Sequence, residues 1–485
     1  QAFDPNVGNQ LAPAVANPFT NVFAIERVYS ASVNGNLFDL PAGTVGVAGG
    51  ASYRKEYLNN QVDYIAIANA SGNCFLAQEV CGSNLQGAYN VKEAYAEIFI
   101  PVLKDIPFIH SLNVTLGDRY SKYNTFGNTN NWKIGVEWRP IEDLLLRGTV
   151  SQVFRAPTIS DLYRGPSGNA PTARDPCENL SAAQLAALPG CAGVPPFLPP
   201  AQNSQLTGVP SGSIYGGSDL GPETGKSFDF GVVYDPSWLE GVSVSADLWR
   251  VYLANDITTL DAQVALTSCA QTGTAFCQFI HRVAAGPSQG AVDYISQPTV
   301  NLGRLDTRGV DFAAHYKLPE FAFGRFSIDL QTMYTAEYNV DPAPGVEGDV
   351  VNHVAGHYWN SYGEYSRWRA MLDLNWTLGN FDASWHTRYV GPFSMGSADL
   401  SQNFSSDTVI PGVVLQYGAQ VVNNVQFGYN IEPINTRFDL GVDNVFDKQP
   451  PLLYQNNVVN ANTDPGTFWA EMLGRYYWGR VTVKF

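Results

Sequence analysis

At 485 residues the chain is long enough for two or three ordinary domains or for one large barrel. Charged residues make up only 15% of it, aromatic residues reach 13%, and glycine occurs 45 times, whereas a soluble domain carries about 25% charge. A mean hydropathy of −0.12 and the lack of any apolar run approaching about eighteen residues exclude a helical membrane protein. The net charge of −16 argues against nucleic acid as a partner, because phosphates call for a basic surface. The opening Gln1-Ala-Phe-Asp-Pro5 has neither the basic start nor the apolar core of a signal peptide, which leaves a chain that is mature, trimmed or incomplete at its start.

In chain order, residues 1–22 are rich in Asn, Pro and Ala without a period and read as a loop. Strands are expected near 23–38 and 44–57 around the Leu40-Pro-Ala-Gly43 turn, and a polar loop, 59–88, follows. Strands near 89–102 and 111–123 lead to the clearest one. There Trp132, Ile134, Val136 and Trp138 share one face, with Lys133, Gly135, Glu137 and Arg139 on the other. Aromatic residues at both ends of an aliphatic row are the pattern of a girdle around a lipid band. A strand at 144–155 puts Arg147, Thr149 and Ser151 on one face, and the Pro- and Gly-rich insertion 156–222 comes next. Strands near 223–234 and 242–253 precede the loop 254–300, and strands near 302–318 and 324–338 precede the loop 339–366. Strands near 367–378 and 380–391 and the loop 392–416 lead to the last three strands, near 417–431, 435–443 and 470–485, with a loop at 444–469.

The final strand again alternates, with Tyr477, Gly479, Val481, Val483 and Phe485 opposed to Trp478, Arg480, Thr482 and Lys484. The links alternate strictly between short turns and long polar loops, as periplasmic turns and extracellular loops do in an outer-membrane barrel. The fold class expected is therefore all-β, a transmembrane antiparallel β-barrel of about fifteen strands over residues 23–485. Cysteines fall in three local pairs, Cys74 with Cys81, Cys177 with Cys191 and Cys269 with Cys277, each within one loop. That placement suggests disulfides in an oxidising compartment, with free thiols or a metal site as the alternative.

Several stretches, taken together and in order, resemble the TonB-dependent outer-membrane receptors: Leu37-Phe-Asp-Leu-Pro-Ala-Gly43, Tyr53-Arg-Lys-Glu56, Val91-Lys-Glu-Ala-Tyr95, Phe154-Arg-Ala-Pro157, Leu220-Gly-Pro-Glu-Thr-Gly-Lys226, Arg308-Gly-Val-Asp-Phe312 and Val442-Asp-Asn-Val-Phe-Asp-Lys448. The resemblance implies a barrel of the 22-stranded family whose lumen is filled by an N-terminal plug, in the outer membrane of a Gram-negative bacterium. About fifteen strands leave the plug and the first strands outside this chain, in a further segment or in a second chain. The odd count starts the chain at the extracellular rim. The resemblance further implies outer-membrane lipid, the TonB–ExbB–ExbD complex acting through the plug and a small-molecule nutrient as partners, with no cofactor and no catalysis.

On the polar strand faces Lys133, Glu137, Arg147, Asp229, Asp247, Asp439 and Arg480 are expected to face the lumen, as a solvated wall or along a substrate path. Tyr163 and Tyr215, in the long insertion, are candidate substrate contacts, and Trp132, Trp138, Tyr477 and Phe485 are candidate membrane anchors. Asp118 falls in the lipid-facing register of Leu112, Val114 and Leu116, so it is expected near a rim or a bulge. Gly286-Pro-Ser-Gln-Gly290 matches the hydrolase elbow in letters but lacks its strand and helix. His353 and His357 have helical metal-ligand spacing but lie in a loop and read as an exposed pair rather than a metal site. A passive porin or surface barrel and a soluble β-rich carbohydrate-binding or hydrolytic protein remain the alternatives.

Overall fold

The computed structural model describes residues 18–75, 81–171, 173–199, 206–213, 219–346, 349, 351–359, 363–395, 416–455 and 460–484. Within them run fifteen long strands: β1 (Thr20–Leu40), β2 (Gly43–Val62), β3 (Leu85–Ile106), β4 (Ile109–Tyr123), β5 (Gly127–Ile141), β6 (Leu144–Arg155), β7 (Glu223–Tyr234), β8 (Val242–Thr259), β9 (Val292–Lys317), β10 (Arg325–Asp341), β11 (Trp368–Leu378), β12 (Phe381–Val390), β13 (Gln420–Ile431), β14 (Thr436–Asp443) and β15 (Tyr476–Val483). Each pairs antiparallel with the next in sequence, so the sheet is one uninterrupted meander. Among the described residues β1 pairs only with β2, and β15 only with β14.

Tight links close the strands at one end. Gly379, with φ +57°, and Asn380 close the β11–β12 hairpin directly after the Leu378–Phe381 pair. Long segments gather at the other end. Several strands run past their apolar stretch into that end; β1 begins at Thr20, inside the segment whose composition reads as loop. The backbone ladder continues there with Asn59, Asn60 and Gln61 opposite Phe23, Val22 and Asn21, because pairing needs only a partner strand and not apolar side chains.

Register sorts the side chains into two faces. One row runs Val47, Ile98, Leu116, Ile134, Val150 and Phe228, then continues into Arg250, Arg308 and Glu337. A row of neighbours that leaves the apolar band in this way reflects strands tilted to the barrel axis. Large apolar side chains stand bare on this face, Leu440 at 67% and Phe427 at 62% exposure, far more than water tolerates in one continuous surface. The fold is all-β, an antiparallel meander with the two-faced register of a membrane β-barrel.

Buried cores lie instead among the long segments. The helix Ala262–Thr272, capped by Asp261 and ended by Gly273, packs Ala262 and Leu266 with Ala173, Leu206 and Ile295. Short helices Ile159–Tyr163 and Ala182–Ala186 open on capping boxes, Thr158 with Asp161 and Ser181 with Gln184. Over its described residues the insertion 156–222, read as a long loop, is thus a folded cap. One expected strand is corrected. The stretch from Ala470 to Leu473 belongs to the helix Pro465–Leu473, with Asp464 as N-cap and Pro465 in its first turn, and β15 begins only at Tyr476.

Candidate functional site

All seven charged residues singled out from the sequence lie on the face opposite the aliphatic rows. Glu137, Arg147, Gly231, Asp247 and Asp311 are successive register partners from β5 to β9, and Thr149, Asp229 and Trp249 form the adjoining row. Arg147 skips a strand to bind Asp247, with nitrogen–oxygen distances of 2.9 and 2.8 Å. Lys133 also skips a strand, to Glu97 at 3.2 Å. A second cluster lies near the short-turn end. Arg437 binds Asp382 at 2.7 and 2.9 Å and Asp439 at 2.8 Å, and Asp439 also accepts from Arg480 at 3.2 Å and Gln426 at 3.1 Å. Sequence reasoning found Asp439 and Arg480 but missed Arg437 as their hub, although its parity marked it as polar-face.

A third feature was invisible in one dimension. His315, Asp329, Asp373 and His386 are consecutive register partners on four adjacent strands, β9 to β12. The Nδ1 atoms of His315 and His386 meet the carboxylates of Asp329 and Asp373, so each acid is compensated by its own imidazole. Without those partners two carboxylates directly opposite one another would destabilise the pair.

The long-loop end completes the face. Arg155 binds Glu223 through Nε at 2.9 Å, Asp161 at 3.2 Å and the Ile257 carbonyl at 3.1 Å, while the Ile257 N–H donates to Glu223 at 2.9 Å. Arg282 pairs with the fully buried Asp175 and donates to the Gly290 carbonyl at 2.9 Å, tying the insertion 156–222 to the segment before β9. The Gly168 N–H donates to the Cys81 carbonyl at 2.8 Å and joins the loop 59–88 to the same cap. The disulfides Cys74–Cys81, Cys177–Cys191 and Cys269–Cys277 all lie in this layer. On the far side Arg388 meets the buried Glu471 of the helix Pro465–Leu473 at 2.5 and 2.6 Å, beside a cluster of Tyr358, Val390, Phe393, Met395, Tyr417, Leu453 and Phe468.

Tyr163 is engaged in packing. Its half-buried ring covers Gly87, where a Cβ would come within 2.2 Å of it, and it bridges two buried clusters. Tyr215 and Phe485 lie outside the described residues. Trp132, Trp138 and Tyr477 stand on the apolar face, and the Trp138 Nε1–H donates to the Phe108 carbonyl in a short turn at 3.1 Å. Asp118 is exposed opposite Trp132, one step beyond Leu116 and Ile134 towards the long-loop end. Ser288 sits in a turn that leads into β9 and not into a helix. His353 is held by Asn339 at 2.7 Å, and burial lowers the pKa of His357. Among the described residues no three His, Cys, Asp or Glu are arranged to hold a metal. The polar face can do what a hydrated, hydrogen-bonding wall does: line a passage without trapping what moves along it.

A family model described as TonB dependent receptor-like, beta-barrel matches residues 3–445. No curated protein matches the chain. Among solved structures, a mutant ferric enterobactin receptor from Pseudomonas aeruginosa in complex with enterobactin is similar at 15% identity with a TM-score of 0.61, covering 96% of this chain and 55% of that one. The siderophore receptor PirA from Acinetobacter baumannii is similar at 13% identity and TM-score 0.57, with coverage of 96% and 55%. The FrpB iron transporter from Neisseria meningitidis gives 14% and 0.51, with coverage of 95% and 55%. The chain spans little more than half the length of these structures.

Proposed function

Because the chain belongs to the TonB-dependent receptor family, we propose that it serves an outer-membrane receptor that captures a scarce nutrient and imports it into the periplasm of a Gram-negative bacterium. The observation that carries this reading is the coincidence of the family match over residues 3–445 with a fifteen-strand meander, bare and apolar on one face and ion-paired on the other. In this reading the long-loop end faces the cell exterior, the polar face lines the lumen, and Trp132, Trp138 and Tyr477 mark the membrane boundary. The folded cap over the long-loop end contacts the nutrient, and the TonB–ExbB–ExbD complex supplies the energy. The similar structures bear siderophore and iron-transport names, so an iron chelate is the first cargo to try, ahead of cobalamin, oligosaccharides and peptides.

The test is uptake of representatives of those four classes by a deletion strain and its complemented parent, with and without a functional TonB. Uptake that needs both the protein and TonB supports the proposal. Uptake that needs the protein but not TonB points to a passive porin. A protein that stays monodisperse in buffer without detergent, and shows no heat-dependent mobility in detergent gels, overturns the membrane reading altogether.

A further inference from the structure

The insertion 156–222 leaves and rejoins the barrel at one point. Arg155 closes β6 just before it, Glu223 opens β7 just after it, and the two are register partners. A third strand joins them through a defect in its ladder. Where β8 meets β9, Ile257 pairs with Asn301, Asp256 with Gly303 and Ala254 with Arg304, so the ladder skips Asn255 on β8 and Leu302 on β9. Bulges of this kind re-aim a side chain. Asn255 takes φ +57° there, and the Asn301 side chain ties the defect to the end of the insertion. It donates to the Asn255 carbonyl at 2.9 Å and the Gly221 carbonyl at 3.0 Å, and it accepts from the Gly221 N–H at 2.7 Å. Asp256 is turned towards Glu223, and the two carboxyl groups hydrogen-bond to one another.

Charge at this node does not balance. Among the described residues Arg155 is the one cation facing Asp161, Glu223 and Asp256, since Arg304, the next along β9, is paired with Asp341 at 2.6 Å. Two carboxylates offer only acceptors, so the Glu223–Asp256 bond requires that one of them keep a proton. Burial and the bond to Glu223 push the Asp256 carboxyl up to about 7. Glu223 is buried as well, but Arg155, Asp256 and the Ile257 N–H hold it below the ordinary carboxylate range. The node stands beyond the apolar band, because the outward row of β8 has already passed from Leu248 to Arg250 well before Asp256.

We infer that Asp256 and Glu223 form a proton-operated latch, which grips both ends of the cap while they share one proton and lets go when that proton is lost. Ionised, Asp256 must leave Glu223, and the bulge carries its neighbour Ile257 along. Ile257 packs with Leu220 and with Leu162 of the helix Ile159–Tyr163, so the cap loses its hold on the barrel. The closed node binds a proton that the open one releases. Closure is therefore favoured in acid and weakens as pH rises from about 4 to about 7, above which both forms are ionised. The inference rests on the reading of the cap as the part that meets the nutrient, and it adds control by pH of how firmly that cap is seated.

The experiment is hydrogen exchange of the full chain in detergent, read by mass spectrometry and corrected for the intrinsic rate at each pH. Between pH 5.5 and 7.5 the opening equilibrium of residues 158–163, 220–223 and 255–257 should rise roughly twentyfold, then level off by pH 8.5. Asp256→Asn, whose amide donates where the protonated acid does, should keep the node closed and flatten the profile. A flat profile in the wild type overturns the proposal, and so does an equal rise in Asp256→Asn. If that variant fails to fold, the wild type still decides, because a rise that continues undiminished to pH 8.5 belongs to another group and overturns the latch. Exchange reads the latch and uptake reads transport, so the failure of one is distinct from the failure of the other.

Discussion

Arg147 on β6 and Asp247 on β8 bind one another across the strand between them, because β7 offers Gly231 at the crossing point. A Cβ at position 231 would lie 1.8 Å from an Asp247 carboxylate oxygen and 2.8 Å from the Arg147 Nε. Gly428 serves Arg437 and Asp382 in the same way on β12 to β14, with a Cβ there 2.2 Å from the arginine. Any side chain at 231 must therefore push the pair apart. Gly231→Val is expected to cost about 2 kcal/mol through overpacking and the lost pair. Gly135→Ala is the control, its new Cβ meeting nothing closer than 3.8 Å. The temperature at which folded gel mobility is lost should fall for the first variant and stay put for the second.

The buried Glu471 gives a larger effect. Its carboxylate is fully enclosed and its partner Arg388 is mostly so. Removing one member of a buried pair leaves the other charge uncompensated, so Glu471→Ala should cost about 3 kcal/mol. It should also release the helix Pro465–Leu473, seen as new proteolytic cleavage between residues 465 and 473. Lys133→Met is the contrast. Lys133 and Glu97 are each 45% exposed, and a water-screened pair of that kind is worth under about 1 kcal/mol.

With three disulfides formed, thiol labelling of the denatured, unreduced protein should find no reactive sulfur; six reactive sulfurs would refute the pairing. Cys177 and Cys191 are separated by 14 residues and lie in one buried cluster with Leu185, Val194 and Leu198. Replacing both by serine should weaken the cap by about 3 kcal/mol in the chain-entropy account. The loss should appear as faster hydrogen exchange over residues 173–199, while exchange in β2 to β6 is unaltered.

Acid should loosen the long-loop segment 353–359, beside the cluster of Tyr358, Phe393 and Phe468, through His357. Burial holds its pKa below the ordinary value, so the folded protein prefers the neutral ring. As pH falls below about 6.5 the unfolded chain takes up a proton that the folded one refuses, and stability drops until the folded value is passed. Glu364, on the adjoining short strand, works in the opposite sense: burial raises its pKa, so its contribution is lost as pH rises. The opening equilibrium of residues 353–359, read as hydrogen exchange corrected for the intrinsic rate at each pH, should therefore rise from pH 7.5 to 5 in the wild type and rise less in His357→Gln.

The meander was legible because a strand in a barrel writes its two environments into alternate residues. Trp132, Ile134, Val136 and Trp138 announce one face and Lys133 and Glu137 the other, and fifteen such stretches separated by alternating short and long links leave few other folds. Local chemistry was legible too. The cysteine pairs are near neighbours in sequence; the helices capped by Asp261 and Asp464 were missed, because their stretches read as loop and, from Ala470, as strand.

Sequence alone thus determined which residues share the apolar face and which the polar one, since that depends only on parity along one strand. Tertiary structure decided who meets whom across strands: Arg147 with Asp247 over Gly231, the row from His315 to His386, Asp256 with Glu223 and the packing of Tyr163 on Gly87. The physical reason is register. A shift of one residue between neighbouring strands leaves every sequence pattern intact yet exchanges every cross-strand partner, so those contacts exist only once the hydrogen-bond ladders are set.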